Sequence, residues 1–239
     1  MVEIAISLAI IGIALVAIIG VLPLGMNVQK DNREETIINQ DATVLLEDIR
    51  SGARADDLTN YVYAITNFQT LYSPNPSTAN LIGTTNLNGT NIVGLLSTPE
   101  YTVYGTGDPI ANLSAFTGNY NSNHIVAYVR SISGPAVEKP PQDNPLVTGD
   151  SFSYKVICAN LPVEVNTNAL NLYTANLTAN LHELRLTFLW PLLPNGNTGS
   201  GRQTFRTMIA GQITQINDAS VTPVQPLYFY QSQSFTNVP

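Results

Sequence analysis

The sequence predicts an α+β protein in which a long N-terminal helix packs on a C-terminal antiparallel β-sheet head domain. Three observations lead to this prediction. Residues 4–29 carry no charge, residues 30–57 keep helical spacing but are densely charged, and aromatic residues are absent from 1–60 and frequent afterwards. We therefore expect a helix over residues 1–57, apolar first and then amphipathic, and a β-rich head domain over residues 58–239.

The apolar half of the helix has the length of a membrane span. The 23 residues from Ile4 to Met26 are uncharged, and at about 1.5 Å per residue they cross roughly the 30 Å hydrocarbon core of a bilayer. A cleaved signal peptide would begin with basic residues and have a shorter apolar core, whereas this segment begins with Glu3. A plain transmembrane anchor explains the length but not this carboxylate.

Glu3 and several helix breakers set the segment apart from a simple anchor. A charged side chain within a membrane costs on the order of 3 kcal/mol unless it finds a partner. We expect the partner of Glu3 to lie in another subunit. The breakers weaken the helix, since glycine costs about 1 kcal/mol relative to alanine and proline about 3. They are Gly12, Gly20, Pro23 and Gly25.

The second half of the predicted helix is amphipathic. Apolar residues recur with a spacing of four, three, four and four, which places them on one helical stripe, while acidic and basic residues occupy the other faces. The stripe consists of Ile38, Ala42, Leu45, Ile49 and Ala53. This pattern predicts a helix that packs on its own head domain and ends between residues 52 and 58.

The head domain shows strand-like runs that alternate apolar and polar residues, as half-buried antiparallel strands do. The clearest is Leu181–Trp190, where Leu184, Leu186 and Phe188 alternate with Arg185, Thr187 and Leu189. The other predicted strands are Tyr61–Tyr72, Tyr101–Tyr104, His124–Ile132, Phe152–Cys158, Gln203–Ile213 and Leu227–Gln231.

Turn-rich tracts separate the predicted strands. Pro74–Asn123 is dense in Asn, Thr, Ser and Gly, Ser133–Asp150 is rich in proline, and Pro194–Gly201 reads as the loop of a hairpin. We expect the long tracts to form the outer surface of the protein, where loops usually lie.

Composition and motifs argue against several functions. Only 11% of the residues are charged and the net charge is −7, so we expect this chain not to bind nucleic acids, because such binders show basic patches. No catalytic motif occurs, which predicts that the chain is not an enzyme.

His182 and Glu183 are expected to form a solvated pair. Cys158 is expected to be a small buried side chain, with a thiol bridging two subunits as the alternative.

No resident cofactor or metal site is predicted, with calcium the one ion left open. Calcium takes six to eight oxygen ligands, often from a loop. Two clusters could supply some of them, Asp143 and Asn144 with Asp150, and Asn217 with Asp218. Neither has an EF-hand pattern, and turns explain both.

The run VEIAISLAIIGIALVAIIGVLPLG resembles the N-terminal segment of type IV pilins and type II secretion pseudopilins. The likeness is carried by Glu3, by Gly12 nine residues later and by Pro23 in an apolar helix. The LPLG ending followed by a polar helix is similar to large pilin-like proteins of the Verrucomicrobia and Planctomycetes type. The segment ELRLTFLWPLLPNGNTGSGRQTFRTMIA, centred on Trp190–Pro191, resembles the late strand pair of those proteins.

The resemblance implies a structural subunit that polymerises through its N-terminal helix. Glu3 would neutralise the N-terminal amine of a neighbouring subunit, and the segment from Gly12 to Pro23, with Gly20 inside it and Gly25 just beyond, would loosen in the filament. The implied partners are further copies of the chain, the inner membrane before assembly, and the pilus or secretion machinery. The implied final location is an extracellular filament on the cell surface.

The sequence departs from the family pattern at its start. Members normally have a basic leader ending in glycine and then phenylalanine as the first mature residue, and here Glu3 lies two residues nearer the N-terminus than usual. We expect a mature chain numbered without its first two residues, with a mature chain that starts at Met1 as the alternative. Two alternatives to a repeating subunit remain, a membrane-anchored binding or adhesive β-domain that never polymerises, and a minor pseudopilin of a secretion system, including one at the filament tip.

Overall fold

A computed structural model gives the architecture of the chain. It describes residues 2–51, 58, 61–74, 77–87, 92–132, 152–163, 177, 180–218 and 225–231. The chain divides into two compact units, a helical unit over Met1–Gln40 and a β unit over Asp41–Pro239. The last turns of the long helix therefore belong to the same unit as the strands.

Helix α1 runs over Val2–Ser51 and includes Pro23. Residues 2–33 are exposed wherever their side chains are described. Within the β unit, the helix contributes Ala42, Leu45 and Ile49 to the core, each fully buried, as the amphipathic stripe predicts. Ala53 and the predicted end of the helix between 52 and 58 lie outside the described residues, except for the 3-10 turn residue Leu58.

The β unit contains a seven-stranded sheet in which every pairing is antiparallel. Six strands follow the order β2-β1-β4-β5-β6-β7, and β3 pairs with the first residues of β4. The strands are β1 (Val62–Pro74), β2 (Ser77–Leu87), β3 (Tyr101–Val103), β4 (Tyr120–Arg130), β5 (Ser153–Pro162), β6 (Leu181–Leu192) and β7 (Thr198–Ala210).

A separate hairpin and a short helix complete the β unit. Strands β8 (Gln212–Asp218) and β9 (Gln225–Gln231) pair only with each other among the described strands. Helix α2 (Ile92–Leu96) is buried along its whole length. Between β3 and β4 a 3-10 turn, Leu113–Ala115, is capped by Asn112, whose Oδ1 accepts the Ala115 N–H at 3.2 Å.

The centre of the sheet has one strongly apolar face. On β6 every second residue from His182 to Trp190 is buried, and β5 alternates in the same way. The rings of Tyr154 and Phe188 lie 5.4 Å apart on neighbouring strands. Because side chains alternate between faces along a strand, this pattern confirms the predicted orientation of Leu184, Leu186 and Phe188.

The α+β prediction is confirmed in its coarse form, and two details of it were wrong. The tract from Pro74 to Asn123 contains β2 and α2 in addition to turns. The backbone of β2 pairs with β1 over ten residue pairs. Backbone pairing of this kind stabilises a strand without requiring an apolar sequence. The apolar run of α2 was a visible signal within the polar tract.

The predicted strand Gln203–Ile213 is two strands. Gly211, with φ of 152°, separates β7 from β8, and its N–H donates to Asn180 O at 2.9 Å instead of continuing the ladder. The hairpin predicted at Pro194–Gly201 is confirmed, with a turn shorter than the predicted loop. Leu193 N–H donates to Asn197 O at 2.8 Å, and β7 begins at Thr198.

Candidate functional site

The candidate assembly surface is the exposed apolar part of α1, residues 2–28. The helix is long and apolar enough to cross a membrane, and none of its 18 most apolar consecutive residues is buried. Apolar side chains point in every direction around the axis, because neighbours such as Ile10 and Ile11, or Ile18 and Ile19, are all more than half exposed. Such a helix needs lipid or other helices around it.

Glu3 lies in the first turn of this surface and is exposed. The ion pairs within the described residues join Glu34 to Lys30, Glu47 to Arg50, and Glu183 to two arginines. None of them involves Glu3, whose backbone carbonyl accepts the Ser7 hydroxyl at 2.9 Å. Its carboxylate is free to meet a partner outside the described chain.

The predicted loosening segment is helical throughout in the isolated chain. A Cβ added at Gly12, Gly20 or Gly25 would meet nothing within 4 Å. Packing against the described residues therefore gives no reason for these glycines. Their role, and that of Pro23, stays a prediction.

The calcium clusters fall largely outside the described residues. Asp143, Asn144 and Asp150 are not described, and neither is the side chain of Asp218. Asn217 is described, and its Oδ1 accepts the Gln215 amide at 3.3 Å. In the described part of the chain, no group of three or more His, Cys, Asp or Glu side chains could hold a metal ion.

The expected solvated pair at His182 and Glu183 is wrong for the histidine. His182 is 2% exposed and packs edge-on against Tyr230, with ring centroids 6.0 Å apart. Glu183 faces the other side of the sheet, where Arg185 donates two hydrogen bonds of 2.8 Å to it. Because side chains alternate between the two faces along β6, His182 and Glu183 lie on opposite faces of the sheet. Their position at the start of the strand did not indicate which of these faces is buried.

Cys158 is buried and its Sγ donates to the carbonyl oxygen of Leu96 at 2.6 Å. Burial raises the pKa of this thiol far above its ordinary value, and a thiol without thiolate character is a poor nucleophile. The prediction of a small buried side chain is confirmed, and the position is unsuited to a bridge between subunits.

Sequence reasoning missed two polar features of the β unit. Asp41 is fully buried on α1, where its Oδ2 accepts the Tyr154 hydroxyl and the Ile132 N–H, both at 2.9 Å. The second feature is a set of four amides on adjacent strands, here called the amide cluster: Asn67, Gln69, Asn121 and Asn123. Its signal was present, since the amides recur at every second residue on both strands.

Comparison with models of protein families finds no match to this chain, and comparison with curated proteins and with solved structures finds none either. The likeness to pilins therefore rests on the residues quoted from α1 and from the β6–β7 region.

Proposed function

We propose that this chain is a structural subunit of a type IV pilus-like or pseudopilus filament, and that it polymerises through α1. The observation that carries the proposal is an apolar helix exposed on all sides with one carboxylate in its first turn. The β unit would form the outer part of such a filament. Before assembly the same apolar helix would hold the subunit in the membrane.

The chemistry of Glu3 favours assembly over simple anchoring. A carboxylate among apolar helices is heavily penalised unless an opposite charge neutralises it. In a helical polymer, the N-terminal amine of an adjacent copy can supply that charge at each step of growth. An anchor alone would gain nothing from the residue, since a neutral side chain would insert more easily.

The proposal is tested by replacing Glu3 in cells that express the chain. Glu3→Gln keeps the size of the side chain and removes the charge, so we expect normal membrane insertion and a loss of most filaments. Fibres sheared from the cells are counted by electron microscopy and their subunit is identified by mass spectrometry, with the membrane-inserted amount measured in parallel. The matched control is Glu35→Gln, which removes an exposed carboxylate farther along the same helix.

Three outcomes distinguish a repeating filament subunit from the alternative functions. Fibres built mainly of this chain that vanish in Glu3→Gln but persist in Glu35→Gln support a repeating subunit. Fibres that persist in both variants remove the proposed role of Glu3. A wild-type chain found only in the membrane, with no fibres, contradicts the proposal and favours an anchored β-domain or a minor pseudopilin.

A further inference from the structure

The β unit contains a polar cavity of about 330 Å³ at one end of the sheet. One wall is the amide cluster on β1 and β4. Gln215 and Tyr228, directly opposite each other in the β8–β9 hairpin, line another wall. The loop Gly105–Gly107 lies along the same cavity. The volume is at the lower end of the range of about 300–1,000 Å³ that is typical of ligand sites.

The sheet face changes character along the strands that form the first wall. Ile65 and Ile125 are buried on this face, as in an ordinary core. Two residues further along their strands, Asn67 and Asn123 occupy the same face and are still more than nine-tenths buried. A packed core would continue with apolar residues here, because buried amides cost free energy unless they are hydrogen-bonded.

Hydrogen bonds fix the orientation of the amides. The backbone carbonyl of Pro99 can only accept, so the atom of Asn123 that lies 3.1 Å from it must be the donor Nδ2. Asn123 Oδ1 therefore accepts, and it receives the amides of Gln69 at 3.0 Å and Asn67 at 3.3 Å. This arrangement leaves Oδ1 of Asn67 as the unused atom.

Three buried polar atoms of the cavity lining have no hydrogen-bond partner within the described chain. They are Asn67 Oδ1, Asn121 Oδ1 and Thr98 Oγ1. Asn67 is 7% exposed and Thr98 is 6% exposed. Leaving such an atom unpaired costs about 1–3 kcal/mol, so a group that reaches these atoms and hydrogen-bonds to them would recover that free energy.

The opposite wall is held in place before any ligand arrives. The Tyr228 hydroxyl donates to Gly107 O at 2.6 Å, and this bond ties the β8–β9 hairpin to the loop. Burial raises the pKa of Tyr228, with Asp108 adding to the effect, so the phenol stays protonated and keeps donating. A preformed wall lowers the ordering cost of binding.

The chemistry of the lining selects among ligand classes. Four asparagines, two glutamines and three threonines line the cavity, and none of its lining residues is charged. A phosphate or carboxylate only accepts hydrogen bonds, so it would leave both free amide oxygens unpaired. A metal ion such as calcium favours carboxylate ligands. A hydroxyl group both donates and accepts, and so fits all three unpartnered atoms.

We propose that this cavity binds a neutral sugar, a mono- or disaccharide unit presented free or as part of a glycan. Its hydroxyl groups donate to Asn67 Oδ1 and Asn121 Oδ1 and pair with the Thr98 hydroxyl. The proposal is independent of polymerisation, because all the lining residues lie in the β unit.

The test measures binding of free sugars to the full chain, purified in a detergent without a sugar headgroup. Saturation-transfer NMR is recorded with neutral sugars (glucose, galactose, mannose, N-acetylglucosamine and lactose) and with the anions glucuronate and glucose 6-phosphate. We expect at least one neutral sugar to bind at millimolar concentration, the anions to bind more weakly, and EDTA to change nothing.

Thr98→Val separates a binding role from a structural one. The change keeps the shape and removes a hydroxyl that has no partner, so we expect the melting temperature to stay equal or rise while sugar binding weakens roughly five- to tenfold. Asn121→Leu should weaken binding at least as much. The control is Thr207→Val, a half-buried threonine on β7, which should leave binding unchanged.

Several results would overturn the inference. They are no binding of any neutral sugar by the wild-type chain, binding that EDTA abolishes, preference for an anionic sugar, and equal binding by wild type and Thr98→Val. In the first case water alone fills the cavity.

Discussion

Asp41 and Tyr154 form a buried polar pair that links α1 to the sheet within the β unit. The carboxylate accepts one side-chain and one backbone hydrogen bond, both of 2.9 Å. Burial raises the pKa of Tyr154 well above its ordinary value, and the nearby Asp41 carboxylate raises it further. The tyrosine therefore remains a donor over the whole physiological range of pH.

Tyr154→Phe should destabilise the β unit and also flatten its loss of stability in alkali. Losing a hydrogen bond to a carboxylate costs about 1.5–3 kcal/mol. The folded-state pKa of Tyr154 exceeds the unfolded value of about 10, so its contribution is complete below pH 10 and is lost above it at about 1.4 kcal/mol per pH unit. Buried Tyr228 and Tyr230 shift in the same direction and remain in the variant.

Urea denaturation of wild type and variant at pH 8, 10 and 11 measures both effects. We expect the variant to be less stable at pH 8 and to lose less stability than wild type between pH 10 and 11. The control is Tyr104→Phe, because Tyr104 is an exposed tyrosine of the same unit. Parallel pH profiles for wild type and Tyr154→Phe would contradict this account.

At the level of elements, the glycines of α1 and α2 differ in their surroundings. A Cβ on Gly94 in α2 would lie 2.6 Å from Cζ of Phe229 in β9. This close approach lets the short helix pack against the hairpin. The glycines of α1 have open space around them, so no contact with the described residues explains their presence.

Gly94→Ala should therefore lower the stability of the β unit by about 1–3 kcal/mol, the usual cost of overpacking. Gly25→Ala is the matched control, since it adds the same methyl group to an exposed helix position, and it should leave the melting temperature unchanged. Thermal unfolding followed by circular dichroism provides the comparison. Equal melting temperatures for the two variants would mean that the Phe229 ring moves aside without lowering the stability of the β unit.

At the level of the whole molecule, the helical unit and the β unit differ in what they need from their surroundings. The exposed part of α1 buries nothing within the chain, whereas the β unit has its own core of sheet, hairpin and α2. The first therefore requires lipid or neighbouring helices, and we expect the second to need neither.

A chain that lacks residues 1–28 should consequently fold and stay in solution without detergent. Its melting temperature should match that of the β unit in the full chain, because the removed side chains that are described are all exposed. Calorimetry on both chains, with the full chain in detergent, checks this. A large drop in melting temperature, or aggregation of the shortened chain, would show that residues 1–28 support the β unit.

The sequence by itself determined the long helix, its change from apolar to amphipathic, most of the strands and the exceptional position of Glu3. These features follow from local periodicity and charge, which can be seen in a single sequence. Only the tertiary structure decided that Asp41 and His182 are buried, that β2 pairs with β1, and that amides from β1 and β4 share a cavity with the β8–β9 hairpin. Each of these depends on residues far apart in sequence that strand order and register bring together. Strand order and register are not encoded in a local sequence pattern.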